Sequence, residues 1–172
     1  MTIQFCQAAP LGVPAAHKGS CVHRAISLAT GLPYCQVVHD LSVGALRERP
    51  RRGTRSCPVS GVYTSKAWFK EYMRSLGFTW VPTMGIGTGC RVHLTADELP
   101  MGRLVVMVSR HACAVIDRVL FDDHDCRRGG KRCVYGYWRL DEIKSFVSWE
   151  IKSSVVGDLV VQSTGTRERH LL

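Results

Sequence analysis

The stretch GRLVVMVSRHACAVIDRVLFDDHD, residues 102–125, contains the clearest strand pattern of the chain. Its apolar and β-branched runs predict three strands, at 103–109, 112–116 and 119–122. Only Asp117 and Arg118 separate the last two runs, and a two-residue connection between strands is typical of a tight hairpin. The stretch therefore predicts an antiparallel sheet in the second half of the chain.

The register of this hairpin determines which side chains can reach His111. A turn centred on residues 117 and 118 places His124 opposite His111 across the ladder. Because side chains alternate between the two faces of a strand, we expect Asp122 to be a diagonal neighbour of His111 and Asp123 to point to the other face. A slip of one residue would exchange the two carboxylates. The sequence thus predicts an imidazole that is oriented by a carboxylate.

Helices are predicted upstream of this sheet. The first begins at Cys21, with Ser20 as its N-cap and Gly31 just after its end. The second follows Pro33, and the third ends at Gly77. Further strands are predicted at 78–81, 134–140, 146–151 and 155–161. Helices followed by a mostly antiparallel sheet indicate the α+β class.

The length and composition are typical of a single domain. The chain has 172 residues, of which 45% are hydrophobic, and this suffices to bury a core. We expect the domain to span 1–172, with an N-terminal arm at 1–20, an arginine-rich loop at 46–61 and a frayed tail at 165–172. The apolar runs are shorter than the roughly 20 residues of a membrane span, and no basic region precedes an apolar N-terminal run. The sequence therefore predicts a cytoplasmic protein that has no membrane partner.

The chain contains eight cysteines. Because no signal peptide is predicted, and because Cys35 and Cys113 lie within apolar runs, we expect reduced thiols that pack as small apolar side chains. Cys21 is the predicted exception, since a thiol at a helix N-terminus has a lowered pKa. An imidazole can act as the base for such a thiol, with His111 as the first candidate and His17 as the second.

Three segments carry a resemblance to a known family. These are SCVHRAISLATG (20–31), the stretch 102–125 and CVYGYW (133–138). Together they resemble the papain-like cysteine peptidases and, more narrowly, small phage-encoded members of that group, over most of residues 17–140. The resemblance implies a papain-like domain with N-terminal helices packed on the sheet. It also implies a catalytic triad that consists of the nucleophile Cys21, the base His111 and the orienting residue Asp122.

The resemblance also implies a function. It is that of a thiol hydrolase that cleaves a peptide, isopeptide or other amide bond, without a cofactor or a metal. The protein would be phage-encoded and would act in the host cytoplasm on a protein or peptide, a host protein included. The glycine-rich segment MGIGTGC (84–90) predicts a sharply turning loop that could approach a ligand closely. The predicted substrate-binding residues in it are Gly87, Thr88, Gly89 and Cys90.

One family feature is missing from its usual place. Papain-like enzymes often carry a glutamine five or six residues before the nucleophile, where its amide binds the developing oxyanion. Here Ala15 and Ala16 occupy that region. Gln4 or Gln7 would replace it only if the N-terminal arm folds back, and the backbone N–H of Cys21 could supply one donor.

Two alternatives remain open at this point. The formal net charge of +9 favours nucleic acid or acidic surfaces as partners, and a cluster of arginines could bind them: Arg47, Arg49, Arg51, Arg52 and Arg55. The first alternative is therefore a catalytically silent papain-like protein that binds a host factor or nucleic acid. The second is a zinc site among His111, Cys113, His124, Cys126 and Cys133. These residues lack the Cys-x2-Cys pair of many structural zinc sites, and no metal ligand is predicted.

Overall fold

Three α-helices and one six-stranded sheet form in the part of the chain that the computed structural model describes, which is residues 1–14, 17, 19–47 and 62–141. The helices are α1 (Cys21–Thr30), α2 (Tyr34–Leu46) and α3 (Ala67–Ser75). The strands are β1 (Gln4–Gln7), β2 (Phe78–Pro82), β3 (Arg103–Val108), β4 (His111–Ile116), β5 (Val119–Asp122) and β6 (Val134–Leu140). The predicted α+β class is confirmed.

Some predictions fall on other residues. The strands expected at 146–151 and 155–161, the tail at 165–172 and most of the loop at 46–61 lie outside the described residues. The same holds for Arg49, Arg51, Arg52 and Arg55, whereas Arg47 follows α2 directly. Among the described helices, none combines the length and the apolar composition that crossing a membrane requires.

The hairpin of β4 and β5 forms at the predicted turn. Ile116 pairs with Val119, so the connection consists of Asp117 and Arg118 alone. Both turn residues have positive φ, 47° and 64°, and this conformation matches the right-handed twist of the flanking strands. The predicted register between β4 and β5 is therefore confirmed.

The sheet is mixed, with the strand order β1-β5-β4-β3-β6-β2. All neighbours are antiparallel except β1 and β5, which run parallel with Gln4 opposite Val119. Residues 4–7, which lie in the predicted N-terminal arm, therefore form an edge strand. Their pattern of exposed, half-buried, exposed and exposed side chains lacks the apolar alternation from which a strand can be predicted.

Both faces of the sheet are covered. The helices pack on one face, where Ile26, Phe69 and Met73 contact a core that includes Trp138. On the other face, Leu94 and Leu99 cover Leu104 and Val106 together with other buried residues. Because β3 and β4 are buried on both faces, their sequences form nearly continuous apolar runs.

One end of the sheet gathers the residues of interest, and we call it the site end. The strand registers that define it are Gln7–Asp122, Val108–His111, Val108–Val134 and Pro82–Gly136. Four strands end there, namely β1, β2, β3 and β5. The other two strands, β4 and β6, begin there. Helix α1 packs on β4 and begins at the same end, since the backbone of Ala112 hydrogen-bonds to the side chain of Cys21.

Candidate active site

His111 and Asp122 form a short side-chain contact at the site end. Nε2 of His111 lies 2.5 Å from Oδ2 of Asp122. The hairpin register produces this contact, because Asp122 ends β5 beside the first residue of β4. Asp122 is buried, with 4% of its surface exposed, whereas His111 is half-buried. With Nε2 engaged by the carboxylate, Nδ1 is the ring nitrogen that remains for a thiol.

Asp123 has different partners. Its carboxylate forms an ion pair with Arg24 at 2.6 Å and contacts Nδ1 of His124 at 2.7 Å. The rings of His124 and His111 lie 4.9 Å apart, as their opposite positions in the hairpin predict. Of the two carboxylates between which the sequence left a choice, Asp122 is the one that contacts His111.

Cys21 is the first residue of α1, and its thiol hydrogen-bonds to the side chain of His111. The backbone N–H groups of Ala112 and Val22 also bond to its sulfur. Ser20 occupies the N-cap position, but its hydroxyl donates to the carbonyl of His17 and makes no capping bond. The N–H groups of the first turn therefore face Cys21 without a side-chain competitor.

These contacts shift the pKa values of Cys21 and His111 in opposite directions. Burial alone would raise the pKa of the Cys21 thiol, but the hydrogen bonds from His111 and from backbone N–H groups outweigh it and lower the pKa. Burial alone would lower the pKa of His111, but the hydrogen bonds to Asp122 and to two thiols, with the charge of Asp122, raise it to about 11. The arrangement favours a thiolate–imidazolium pair.

A second thiol also reaches His111. Cys126 follows β5, is buried and hydrogen-bonds to both Cys113 and His111. The bond from Cys113 is the largest influence on its pKa, and with His111 it outweighs burial and the charge of Asp122, so that the pKa falls to about 6. Cys113 shows the opposite shift, because the bond to Cys126 and burial raise its pKa. From the sequence, Cys126 was grouped with His111 and Cys113 only as a candidate zinc ligand. A thiol–imidazole contact was not predicted, since Cys126 lies in a loop without periodicity.

The predicted substrate-binding loop lies beyond β2. Gly87 and Gly89 have positive φ, 76° and 68°, and the hydroxyl of Thr88 bonds to the backbone N–H of Gly85. The loop is exposed and follows β2 at the site end, so it borders the same edge as His111. Since β3 and β6 separate β2 from β4, the loop begins about 14 Å along that edge.

Cys90, the last residue of this loop, forms a disulfide with Cys133. The expectation of reduced thiols is therefore wrong for this pair. The physical reason is an isolated bridge between His93 and Cys133, which holds the loop beside the start of β6 and brings the two Cα atoms to 5.8 Å. Cys6, Cys21, Cys35, Cys113 and Cys126 are free thiols. Cys35 is exposed, although it lies within an apolar run of the sequence.

The other candidates for catalysis have partners of their own. Nδ1 of His17 lies 3.1 Å from the hydroxyl of Tyr34. The N-terminal arm does fold back, as β1, and the Gln7 amide donates to the carbonyl of Asp123 at 3.3 Å. Gln7 thus lies beside Asp122 at the site end. Folding back of the arm is the condition on which Gln7 was a candidate donor to the oxyanion.

No protein-family model, curated protein or solved structure matches this chain.

Proposed function

We propose that this protein is a papain-like thiol hydrolase that cleaves amide bonds in peptides, isopeptides or related substrates. The nucleophile is Cys21, the acid and base is His111, and the residue that orients the imidazole is Asp122. One observation carries the proposal: His111 contacts the Asp122 carboxylate and the Cys21 thiol at once, and that thiol begins a helix. A nucleophile, its base and an orienting third group in contact are what acyl transfer requires.

The first half of the reaction forms a thioester. The Cys21 thiolate attacks the carbonyl carbon of the substrate, and the carbonyl oxygen becomes an oxyanion. When the intermediate collapses, the carbon–nitrogen bond breaks, and the leaving amine takes a proton from the His111 imidazolium. Asp122 stabilises the imidazolium before this step and holds the ring in place afterwards.

The second half releases the acid. The neutral imidazole of His111 now takes a proton from water, which attacks the thioester carbonyl. The carbon–sulfur bond breaks, the carboxylic acid leaves, and the thiolate–imidazolium pair is restored. The backbone N–H of Cys21 is the proposed donor to the oxyanion, because it lies at the N-terminus of α1 beside the attacking sulfur.

The proposed cleft runs along the site end of the sheet. Gly87, Thr88, Gly89 and Cys90 form its far wall, and the bond that is cleaved lies over Cys21. The disulfide from Cys90 to Cys133 supports this role, because it links the end of the loop to the residue directly before β6. An extended peptide of about four residues would span the roughly 14 Å between the loop and β4.

The direct test is acylation by an activated ester, p-nitrophenyl acetate. We expect one acetyl group per chain, found at Cys21 by peptide mass spectrometry, followed by continued release of nitrophenol as the thioester hydrolyses. The matched control is Cys35→Ser, which removes an exposed thiol on α2 and is expected to change neither result.

Two results would contradict the proposal. One is acetylation that spreads over Cys6, Cys35 and Cys21 at similar rates, because the exposed thiols lack an imidazole partner in the proposed mechanism. The other is a stable acetyl group at Cys21 with no further release of nitrophenol. The second result would leave a reactive thiol without a hydrolytic function.

A further inference from the structure

Three potential metal ligands converge at the site end. One ligand atom from each of His111, Asp122 and His124 lies within 4.8 Å of the other two. Asp122 is buried, His111 is half-buried and the side chain of His124 is 60% exposed. The group therefore reaches from the interior to solvent, and an ion can approach it from the exposed side of His124.

His124 is already oriented as a ligand would be. Its Nδ1 contacts the carboxylate of Asp123 at 2.7 Å, and Arg24 holds that carboxylate at 2.6 Å from the opposite side. Metal-binding histidines usually donate the ring N–H that does not bind the ion to a carboxylate. Because Asp123 takes Nδ1, Nε2 of His124 is the atom open to an ion.

We propose that His111, Asp122 and His124 bind a divalent zinc-class ion, which inhibits the thiol chemistry of Cys21. Two imidazoles and one carboxylate suit zinc and its neighbours in the transition series, whereas magnesium and calcium prefer oxygen ligands throughout. Water or a thiol beside His111 would occupy the fourth coordination position of the ion. Zinc binding stands on the geometry alone, and only the inhibition rests on the proposed function.

Inhibition follows from the distance between two of the ligands. Two ligand atoms at 2.0–2.1 Å from a tetrahedral ion lie about 3.4 Å apart. In the protein, Nε2 of His111 and Oδ2 of Asp122 are 2.5 Å apart and share a hydrogen bond. Zinc must therefore replace this hydrogen bond at Nε2. A zinc-bound ring keeps its proton at Nδ1, so His111 can neither take a proton from water there nor give its own to the leaving amine without becoming an imidazolate. The ion and the oriented imidazole exclude each other.

The test is calorimetric titration with Zn²⁺ in a Cys6→Ser/Cys35→Ser background, which removes the exposed free thiols of the described residues. We expect one ion per chain. His124→Ala is expected to weaken binding at least tenfold and Asp123→Asn by about 10- to 100-fold. The control His39→Ala removes an exposed histidine on α2 and is expected to leave the affinity unchanged. Equal affinity in His124→Ala and its parent would overturn the proposal.

Cobalt substitution gives a readout that does not depend on activity. We expect Co²⁺ to develop the intense visible bands of a tetrahedral site, and we expect His124→Ala to lose them. Octahedral spectra or bands that survive the substitution would contradict the proposed ligand set. Far-ultraviolet circular dichroism checks that each variant is folded.

The failures of the two proposals can be told apart. If zinc binds with the expected dependence on His124 but Cys21 forms no acyl-enzyme, the metal site stands and the hydrolase does not. If Cys21 is acylated and zinc fails to bind, the metal site is refuted and the hydrolase is unaffected. If zinc binds through His124 and the steady release of nitrophenol, which needs His111 as the base, continues at the same rate, the inhibition is refuted.

Discussion

Two thiols contact His111 in different surroundings. Cys21 approaches from α1, is half-buried and receives hydrogen bonds from backbone N–H groups. Cys126 approaches from the loop after β5, is only 4% exposed and shares a hydrogen bond with the fully buried Cys113. Both have lowered pKa values, that of Cys126 to about 6.

This comparison shows that a low pKa does not by itself define a nucleophile. A thiolate must also be reached by the substrate, and donors must wait where the oxyanion forms. Cys21 meets both requirements at the open first turn of α1, whereas burial keeps a substrate away from Cys126. We therefore expect Cys21 to be the reactive thiol, although the pKa of Cys126 is lowered as well.

Replacement of each thiol by serine is expected to give the largest difference in activity between the two positions. We expect Cys21→Ser to reduce steady-state hydrolysis of p-nitrophenyl acetate by about 10⁵-fold, since removal of a nucleophile disables the whole triad. The matched variant Cys126→Ser is expected to cost less than about tenfold, because it retains the triad. Similar losses of hydrolysis in the two variants would contradict the assignment of Cys21 as the nucleophile.

Asp122→Asn separates the two thiols in a second way. The contact of Asp122 with His111 supports the imidazolium that lowers the pKa of Cys21, so the pKa of Cys21 should rise. At Cys126 two changes oppose each other, because the charge of Asp122 raises its pKa whereas the hydrogen bond with His111 lowers it. Hydrolysis should fall by about 10²- to 10⁴-fold. A comparable loss in Asp123→Asn, whose carboxylate contacts His124 instead, would contradict this assignment.

The alkaline limb of the pH profile reports His111. Its pKa is raised to about 11, so the imidazolium is present below that pH and is lost above it. Since the leaving group needs this proton, we expect cleavage of a peptide amide to decline tenfold per pH unit above about 11. Alkylation of Cys21 needs only the thiolate and should not decline there. An alkaline limb that begins near pH 6.5, about the ordinary pKa of histidine, would contradict the contact with Asp122.

Cys113→Ala has the smallest expected effect. Loss of the donor thiol should raise the pKa of Cys126 from about 6, measured by thiolate absorbance, and leave the pKa of Cys21 within about half a unit. Because Cys113 is buried, the free energy of unfolding should fall by about 1–2 kcal/mol. Cys113→Ser keeps a donor and should preserve the low pKa of Cys126. If Cys113→Ser raises the pKa of Cys126 as much as Cys113→Ala does, the hydrogen bond from Cys113 is not the cause of the low pKa.

The sequence was most informative where the determinants are local. The two-residue turn at Asp117 and Arg118 fixes the register, and the register brings Asp122 to His111. The start of α1 at Cys21 follows from helical periodicity and from Gly31, whose left-handed conformation ends the helix. These short-range rules predicted the hairpin of β4 and β5, the start of α1 and the contact between His111 and Asp122, whereas the catalytic roles stay predictions.

Contacts between distant segments could not be predicted in the same way. Strand β1 pairs with β5, more than 110 residues away, and its four residues carry no apolar alternation. Cys126 and the disulfide from Cys90 to Cys133 depend on where loops return. His23 is fully buried and packs near Tyr34, because α1 is covered by α2.

The coupling of Cys21 to His111 is best tested through the pKa of the Cys21 thiol. This pKa is measured from the pH dependence of labelling by iodoacetamide, with Cys6 and Cys35 replaced by serine. We expect a value clearly below the roughly 8.5 of a free thiol, and we expect His111→Ala to raise it. An ordinary or raised value that ignores His111→Ala would contradict the coupled pair. It would favour a protein that binds its partner on a silent scaffold.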